Sequence, residues 1–377
     1  MAKNKKKISE DGIKLENNAS PGDLISPFTA FREVFGTQII DSEGRVFYKL
    51  KTLGKKEVYC PFCDKKKLVE GGEYVGEVRF DREKTGGYTW KEEPNSPEDY
   101  TTIVVKNIYP IIQDSNHDHS LHFVIIESSN HLTEFHQLSQ WNIKGAIWSY
   151  ISLMKKYHKE HAAVILYKNQ GKVAQSSLEH VHSQMIFLDN IPSRIVSTLS
   201  EIFLITADED KCLICERVNE LIENKPKVVL KEHVHWIEYC PKHIYPFVIR
   251  IMPKRHVPDL LMLSEEEIDE LAKILKISTN RLIGNFGNVD YNILWHQAPR
   301  VYRSRWHFFI EIVPRGVNEP AGFEMLTGIR ITETPEAAAD ALREIRNKCV
   351  MCGKYFYKSK EYCPYCGYNK VRLTYEF

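Results

Sequence analysis

No apolar run in this 377-residue chain approaches the roughly 20 residues that a membrane-spanning helix requires, so a membrane protein is not expected. An excess of charge is missing as well. Lysine and arginine number 51 against 50 aspartates and glutamates, a formal net charge of +1, so no global field draws the chain to nucleic acid or to an acidic membrane. The N-terminal run Ala2-Lys3-Asn4-Lys5-Lys6-Lys7 is basic but lacks the apolar stretch of an export signal, and it reads as a solvated tail. The expected location is the cytoplasm, with neither membrane nor nucleic acid as partner.

Cysteine, by contrast, is abundant and ordered. Eight of the nine cysteines fall into Cys-x-x-Cys pairs: Cys60/Cys63, Cys212/Cys215, Cys349/Cys352 and Cys363/Cys366. Two thiolates at that spacing form half of a tetrahedral metal site, and without an export signal the pattern favours metal over disulfides. A redox pair is the rival for any single Cys-x-x-Cys, but four pairs in one chain weigh against it. Cys240 reads as a small buried hydrophobe.

Residues 1–25 look flexible, and Asp81 to Tyr100 reads as a polar surface loop. Ile103 to Val105, Phe123 to Ile126 and Ala163 to Tyr167 read as strands, the last leading into a polar loop from Lys168 to Ser177. Trp141 to Tyr157 has helical spacing with Ser139 as its cap. Ser264 and Glu267 form a capping-box pattern before the helical run Ile268 to Ile283.

An internal repeat organises the rest. The first half holds a Cys-x-x-Cys, then Asn107-Ile108-Tyr109-Pro110, a strand reaching His131, and His180. The second holds a Cys-x-x-Cys, then His243-Ile244-Tyr245-Pro246, a strand reaching His256, and His307. Two cysteines and two histidines in the same order suggest a duplicated α+β unit. They predict two closed sites, Cys60/Cys63/His131/His180 and Cys212/Cys215/His256/His307; four protein ligands leave no room for a catalytic water, so these metals would be structural.

The halves differ after the last histidine. Glu179-His180-Val181-His182-Ser183-Gln184 runs into the apolar Met185-Ile186-Phe187-Leu188, which reads as a strand with His180, His182 and Gln184 on one face. In the second half, Phe309 stands where His182 stands in the first, and Glu311 where Gln184 stands. One half is thus expected to be active and the other degenerate. A neutral imidazole can attack phosphorus, while an amide can orient phosphoryl oxygens but cannot deliver a proton at neutral pH. Group transfer or phosphorolysis is therefore favoured over hydrolysis.

At the C-terminus, Gly353 and Gly367 each follow a cysteine pair, as in a zinc ribbon or rubredoxin-like knuckle. Cys349, Cys352, Cys363 and Cys366 are expected to hold a third metal. Zinc is the expectation at all three sites, with iron the alternative at this thiolate-only one.

Over residues 50–345 the chain resembles the galactose-1-phosphate uridylyltransferases, within the histidine-triad superfamily. The resemblance is densest at Lys168-Asn169-Gln170-Gly171 and at Ser177-Leu178-Glu179-His180-Val181-His182-Ser183-Gln184. It continues at Cys60-Pro61-Phe62-Cys63, Tyr245-Pro246-Phe247, Pro253-Lys254-Arg255-His256, Tyr291-Asn292, Ala321-Gly322-Phe323-Glu324 with Thr327-Gly328, and Pro335-Glu336-Ala337-Ala338. Val181 departs from the proline usual between the two histidines.

The resemblance implies an α+β fold of two tandem histidine-triad-like units, antiparallel sheets with flanking helices, plus a small C-terminal zinc ribbon. The bounds would be a tail over 1–25, a catalytic half over 26–205, a degenerate half over 206–345 and the ribbon over 346–377. It implies His182 as the nucleophile that becomes nucleotidylated and Gln184 as a hydrogen-bond partner of the transferred phosphoryl group. Asn107, Asn169, Ser176 and Ser177 would meet the nucleotide phosphates, and Glu324 sugar hydroxyls. The four-ligand sites would be those of the plant-type ADP-glucose phosphorylase branch. The activity implied is transfer of a nucleoside monophosphate between a nucleoside diphosphate sugar and a sugar 1-phosphate, in a homodimer. Its alternatives are a nucleoside diphosphate sugar phosphorylase and a non-catalytic zinc protein that binds nucleotide or RNA.

Overall fold

A computed structural model describes residues 60–71, 73–80, 87–93, 101–107, 110–111, 120–205, 212–287, 289–330 and 333–343, and the backbone of four further strands at 36–40, 46–50, 346–348 and 355–357. The elements in chain order are β1 (Gly36–Ile40), β2 (Val46–Leu50), α1 (Lys65–Glu70), β3 (Tyr74–Phe80), β4 (Tyr88–Lys91), β5 (Thr102–Lys106), β6 (Leu121–Ile126), α2 (Gln140–Tyr157), β7 (Ala163–Gln170) and β8 (His182–Leu188). Then come α3 (Ser193–Ile205), α4 (Leu213–Asn224), β9 (Val229–Glu232), β10 (Trp236–Tyr239), β11 (Ile249–Pro253), α5 (Glu265–Phe286), β12 (Asp290–His296), β13 (Phe309–Arg315), α6 (Gly322–Thr327), α7 (Pro335–Arg343), β14 (Arg346–Lys348) and β15 (Tyr355–Tyr357). The tail over 1–25 and the four C-terminal cysteines lie outside the described residues. Among those described, no helix is long and apolar enough to cross a membrane.

The fold is α+β around one large antiparallel sheet. Eleven strands run in the order β4-β3-β5-β6-β8-β7-β12-β13-β11-β10-β9. The order reads alike from both ends toward the β7–β12 junction: β5-β6-β8-β7 on one side mirrors β10-β11-β13-β12 on the other. A helix, α2 or α5, connects the second and third strands of each set in chain order. The two sets meet where Asn169 pairs with Asn292 and Gln170 with Tyr291.

Alternation along the strands sorts side chains to two faces. Phe123, Ile125, Met185, Phe187, Leu166, Ile293, Ile310 and Ile312 turn to one face, where α2 and α5 cover them in the main core. The helices form where their sequences cap them. The Ser139 hydroxyl accepts from Asn142 N at 3.1 Å, and Ser264 with Glu267 closes a full capping box. Lys144 on α2, almost wholly buried, reaches Asp269 on α5 at 2.5 Å, tying the two helices side by side.

Two sequence expectations need correction. The stretch 81–100 is not all loop, because Tyr88–Lys91 pairs with β3. Trp90 packs on the core there, and only the missing side chain of Gly76 leaves it room: a Cβ on Gly76 would lie 2.3 Å from the indole. Lys168 to Gln170 are not loop either. They continue β7, since β12 supplies a partner strand that the sequence of this segment does not announce.

The loop after β7 turns on Gly171, at φ +84, in the left-handed region that favours glycine. A Cβ there would fall 2.0 Å from Asp290 Oδ1, and the same carboxylate accepts from Val173 N at 2.6 Å. Gly171→Ala should therefore lower stability by about 1–3 kcal/mol, read as a lower denaturation midpoint in urea. An unchanged midpoint would show that Asp290 is not held against the turn.

Candidate active site and metal centres

The segment around His182 is fixed by its backbone before any side chain is considered. Val181 N donates to Leu132 O at 2.8 Å, and Glu127 N donates to Val181 O at 3.3 Å. β8 begins at His182. His182 and Gln184 thus share the face away from α2 and α5, as expected. His180 does not: it precedes the strand, and its ring turns to Cys60 and Cys63.

The His182 ring is buried, with Nδ1 at 2.9 Å from His180 O. A carbonyl only accepts, so Nδ1 carries the proton and Nε2 keeps its lone pair. Burial, and next the Lys168 charge, push its pKa down to about 4, so the ring is neutral near pH 7. Phe62, from the Cys-Pro-Phe-Cys turn, packs edge-on against both His180 and His182, with centroids 5.9 and 5.4 Å away.

Beneath His182, on the helix-covered face, lies a buried polar knot. Lys168 Nζ donates to Glu127 at 2.6 Å and to His182 O at 2.9 Å. Glu127 also accepts from Tyr150 OH of α2 at 3.0 Å and from the Ser183 hydroxyl. Sequence reasoning assigned no role to Lys168, Glu127 or Tyr150. Lys168 stands at the head of a polar run, Lys168-Asn169-Gln170, so the sequence around it gives no signal of burial.

Gln184 is half-buried. Its Oε1 accepts from Tyr167 OH at 3.0 Å and lies 2.9 Å from His122 Nε2. His122 is buried and within 3.2 Å of the Asn107 amide. It too was missed, having no motif around it. Asn107 thus reaches the site's polar network through His122.

Asn169 opposes Asn292 across the central junction, and its Oδ1 accepts from Asn292 Nδ2 at 2.8 Å. The same Nδ2 lies 3.1 Å from Ala174 O, and Asn169 Nδ2 donates to Gln175 O, so the pair holds the loop after Gly171. Ser176 uses its hydroxyl on Leu178 O at 2.8 Å, and Ser177 is half-buried in the same loop. Glu324 is buried in α6, where its carboxylate accepts from Ala321 N at 3.1 Å; no hydrogen bond or ion pair joins it to His182.

Both four-residue clusters are assembled, and in each the ligand atoms all lie within 4.8 Å of one another. In the first, Cys63 Sγ is 3.3 Å from His131 Nδ1, and Cys60 Sγ is 3.5 Å from His180 Nδ1. In the second, Cys215 Sγ is 3.4 Å from His256 Nδ1 and 3.3 Å from His307 Nδ1. A tetrahedron with bonds of roughly 2.3 Å to sulfur and 2.1 Å to nitrogen has S–N edges of about 3.6 Å, so the donor sets fit a metal ion. The outer nitrogens fit as well: His180 Nε2 lies 3.0 Å from Ser128 O and His307 Nε2 3.0 Å from Pro253 O, which directs Nδ1 inward. Burial, and next the neighbouring Cys63, push the Cys60 thiol up to about 12. A divalent cation would remove that penalty by binding the thiolates.

In the second half the positions corresponding to His182 and Gln184 are occupied by Phe309 and Glu311. Phe309 stacks on His296 at 4.1 Å between centroids. Glu311 is engaged by Arg250 at 2.6 Å and by His296 at 3.0 Å. Burial alone would raise Glu311, but these partners hold its carboxyl well below the usual carboxylate range.

The chain has counterparts among known proteins. A domain of unknown function, the N-terminal domain of DUF4931, matches residues 96–191. ADP-glucose phosphorylase of Arabidopsis thaliana is 26% identical over 275 residues, 67% of this chain and 76% of the relative. Galactose-1-phosphate uridylyltransferase of Haemophilus influenzae is 25% identical over 336 residues, 85% and 90% of the two chains. The crystal structure of an Arabidopsis thaliana ADP-glucose phosphorylase with bound ADP-glucose aligns with a TM-score of 0.60 at 24% identity, covering 80% of this chain and 96% of that one. The chain's homologues are thus galactose-1-phosphate uridylyltransferases and ADP-glucose phosphorylase, enzymes of the histidine-triad superfamily that the sequence resembles.

Two outcomes are expected. Metal analysis should find one ion per Cys/His cluster, and Cys63→Ala should lose one equivalent; full retention in that variant would remove Cys63 from the ligand set. Burial also pushes His122 down to about 4, against about 6.5 in an unfolded chain. The unfolded state therefore binds a proton first, and stability falls as pH drops from about 6.5 towards 4, by up to roughly 3 kcal/mol from this group. His122→Phe should flatten that slope in urea titrations across the window; an unchanged slope would show that His122 is not buried neutral.

Proposed function

We propose that the chain is a nucleotidyltransferase that works through a nucleotidyl-His182 intermediate on a nucleoside diphosphate sugar. The observation that carries this reading is the orientation of one ring: His182 Nδ1 is committed to His180 O, leaving Nε2 as a neutral nucleophile on the face it shares with Gln184. Nε2 attacks the α-phosphorus, forming an N–P bond as the bridging P–O bond breaks. The sugar 1-phosphate leaves with the electron pair as a stable anion and needs no general acid. The positive charge developing on the ring is offset at Nδ1–H by the His180 carbonyl, while the Gln184 amide meets the phosphoryl oxygens. An oxygen of the acceptor then attacks the same phosphorus, expels Nε2 and restores the free ring.

In this reading the acceptor is a sugar 1-phosphate. Inorganic phosphate is the alternative, and the homologue named ADP-glucose phosphorylase supports it. The loop from Gly171 to Ser177, with Asn169, receives the nucleotide phosphates, and Asn107 supports the site through His122. Glu324 remains assigned to sugar hydroxyls in this proposal, although its carboxylate also caps α6.

The mirrored strand order supports two tandem histidine-triad-like units, a catalytic half over 26–205 and a degenerate half over 206–345. Zinc is the proposed metal in both clusters. The β14–β15 hairpin, with Cys349 and Cys352 between its strands, supports a zinc ribbon over 346–377. A homodimer is the proposed assembly.

Incubating the protein with separate nucleoside diphosphate sugars and weighing it intact tests the proposal. A nucleoside monophosphate adduct is expected on the wild type and none on His182→Gly. Chasing the adduct with hexose 1-phosphate or with phosphate then identifies the acceptor. No adduct with any donor, together with undiminished nucleotide or RNA binding by His182→Ala, would favour the non-catalytic zinc protein instead.

A further inference from the structure

The register of β6 against β8 pairs Val124 with Gln184, so His122 stands one diagonal step from Gln184 on the same sheet face. What the two side chains do there follows from a chain of hydrogen bonds with only one consistent polarity. Ile111 N lies 3.3 Å from His122 Nδ1, and a backbone N–H can only donate. The Asn107 amide nitrogen lies 3.2 Å from the same atom and 3.4 Å from Nε2, so it is the backbone N–H that fixes the polarity, and the amide donates to Nδ1 in the same sense. Nδ1 is therefore the acceptor nitrogen of a neutral ring, and the proton sits on Nε2. Nε2 is 2.9 Å from the Gln184 side chain, so the atom facing it must be the carbonyl oxygen. Tyr167 OH, 3.0 Å away, donates to that oxygen as well. Both lone pairs of Oε1 are then used, and the amide nitrogen must point elsewhere. Among the described residues neither N–H of Gln184 has a partner.

We propose that His122 is a positioning residue that fixes the flip of the Gln184 amide, so that Gln184 presents N–H donors, not a carbonyl oxygen, on the face it shares with His182. The proposal rests on the nucleotidyl-transfer reading only for its consequence: there the donors meet the anionic phosphoryl oxygens. In the opposite flip a carbonyl oxygen would face those oxygens and repel them. A side chain with no contact to substrate thereby sets the sign of the dipole that substrate meets.

Two measurements test it. The first needs no activity. In protein labelled with ¹⁵N-histidine, and with the His122 resonances identified by their loss in His122→Phe, the ring nitrogens of folded wild type at neutral pH should show a protonated Nε2 and a bare Nδ1. A protonated Nδ1 overturns the proposal. The second is a mutant cycle on the rate of adduct formation. His122→Phe alone should slow the rate by roughly ten- to a hundredfold, less than deletion of a donor that touches the reacting group outright. In a Gln184→Ala background the same substitution should cost less than twofold, because nothing is left to orient. A full second loss in that background would mean that His122 acts through the general structure, and it too overturns the proposal. If the wild type forms no adduct with any donor, the transfer reading fails on its own, and the nitrogen spectrum still decides which tautomer orients Gln184.

Discussion

The geometry around His182 depends on the ion pair buried beneath it. Lys168 and Glu127 are both nearly inaccessible, at 2% and 0% exposure, and 2.6 Å apart. Neither charge is solvated, so removing either partner strands the other at a cost of roughly 3–5 kcal/mol. Apolar replacements would satisfy the core as well, which makes the further bonds of the pair the telling feature. Lys168 also donates to the His182 carbonyl, while Glu127 collects Ser183 and Tyr150 and donates its own N–H to Val181 O. Three consecutive residues of the functional strand, Val181 to Ser183, are thus held from below by groups that strand alternation keeps out of the site. The charge also acts through the sheet: after burial, Lys168 is the next cause keeping His182 unprotonated.

Above the sheet, the Cys/His cluster holds the same segment from the other side. His180 belongs to that cluster through its ring and to His182 through its carbonyl, so the Cys/His cluster and the tautomer of His182 are one construction. Phe62, between two cluster cysteines, wedges against both rings. Its second-half counterpart cluster has no such neighbour to serve. There Arg250 and His296 lie against Glu311, and Phe309 lies flat on His296. The hydrocarbon ring of Phe309, unlike the imidazole of His182, has no nitrogen lone pair to offer.

Much of this was legible in the sequence because it is local or repeated. The eight cluster ligands recur in the same order twice, and the caps at Ser139 and at Ser264 with Glu267 are written within four residues. What stayed illegible depends on pairing between distant segments. Lys168 looks like the start of a polar loop until β12 is laid beside β7. His122 is a lone histidine with no motif, and its partner Gln184 lies 62 residues away in a register that no short pattern encodes. His180 was placed on the strand face by period-two counting, but the bond from Val181 N to Leu132 O takes this stretch out of the β8 ladder before the strand begins. That bond needs a residue with an N–H at position 181, which valine has and a proline would lack.

The strands on the far side of the β7–β12 junction also shape the His182 region. The two halves join at β7 and β12, and β12 brings Asn292 opposite Asn169. Asn292 is itself held by Arg315 at 3.1 Å and bonds both Asn169 and the Ala174 carbonyl, while Asp290 fills the space above Gly171 and accepts from Val173 N. The loop between Gly171 and His180 is therefore shaped by side chains from β12, across the central junction. A single unit with the same catalytic strand would leave β7 as an exposed edge, with Asn169 unpaired and the loop unsupported. The strands after residue 206 thus have a structural task that does not depend on Phe309 or Glu311: they place the loop that leads into His180 and His182.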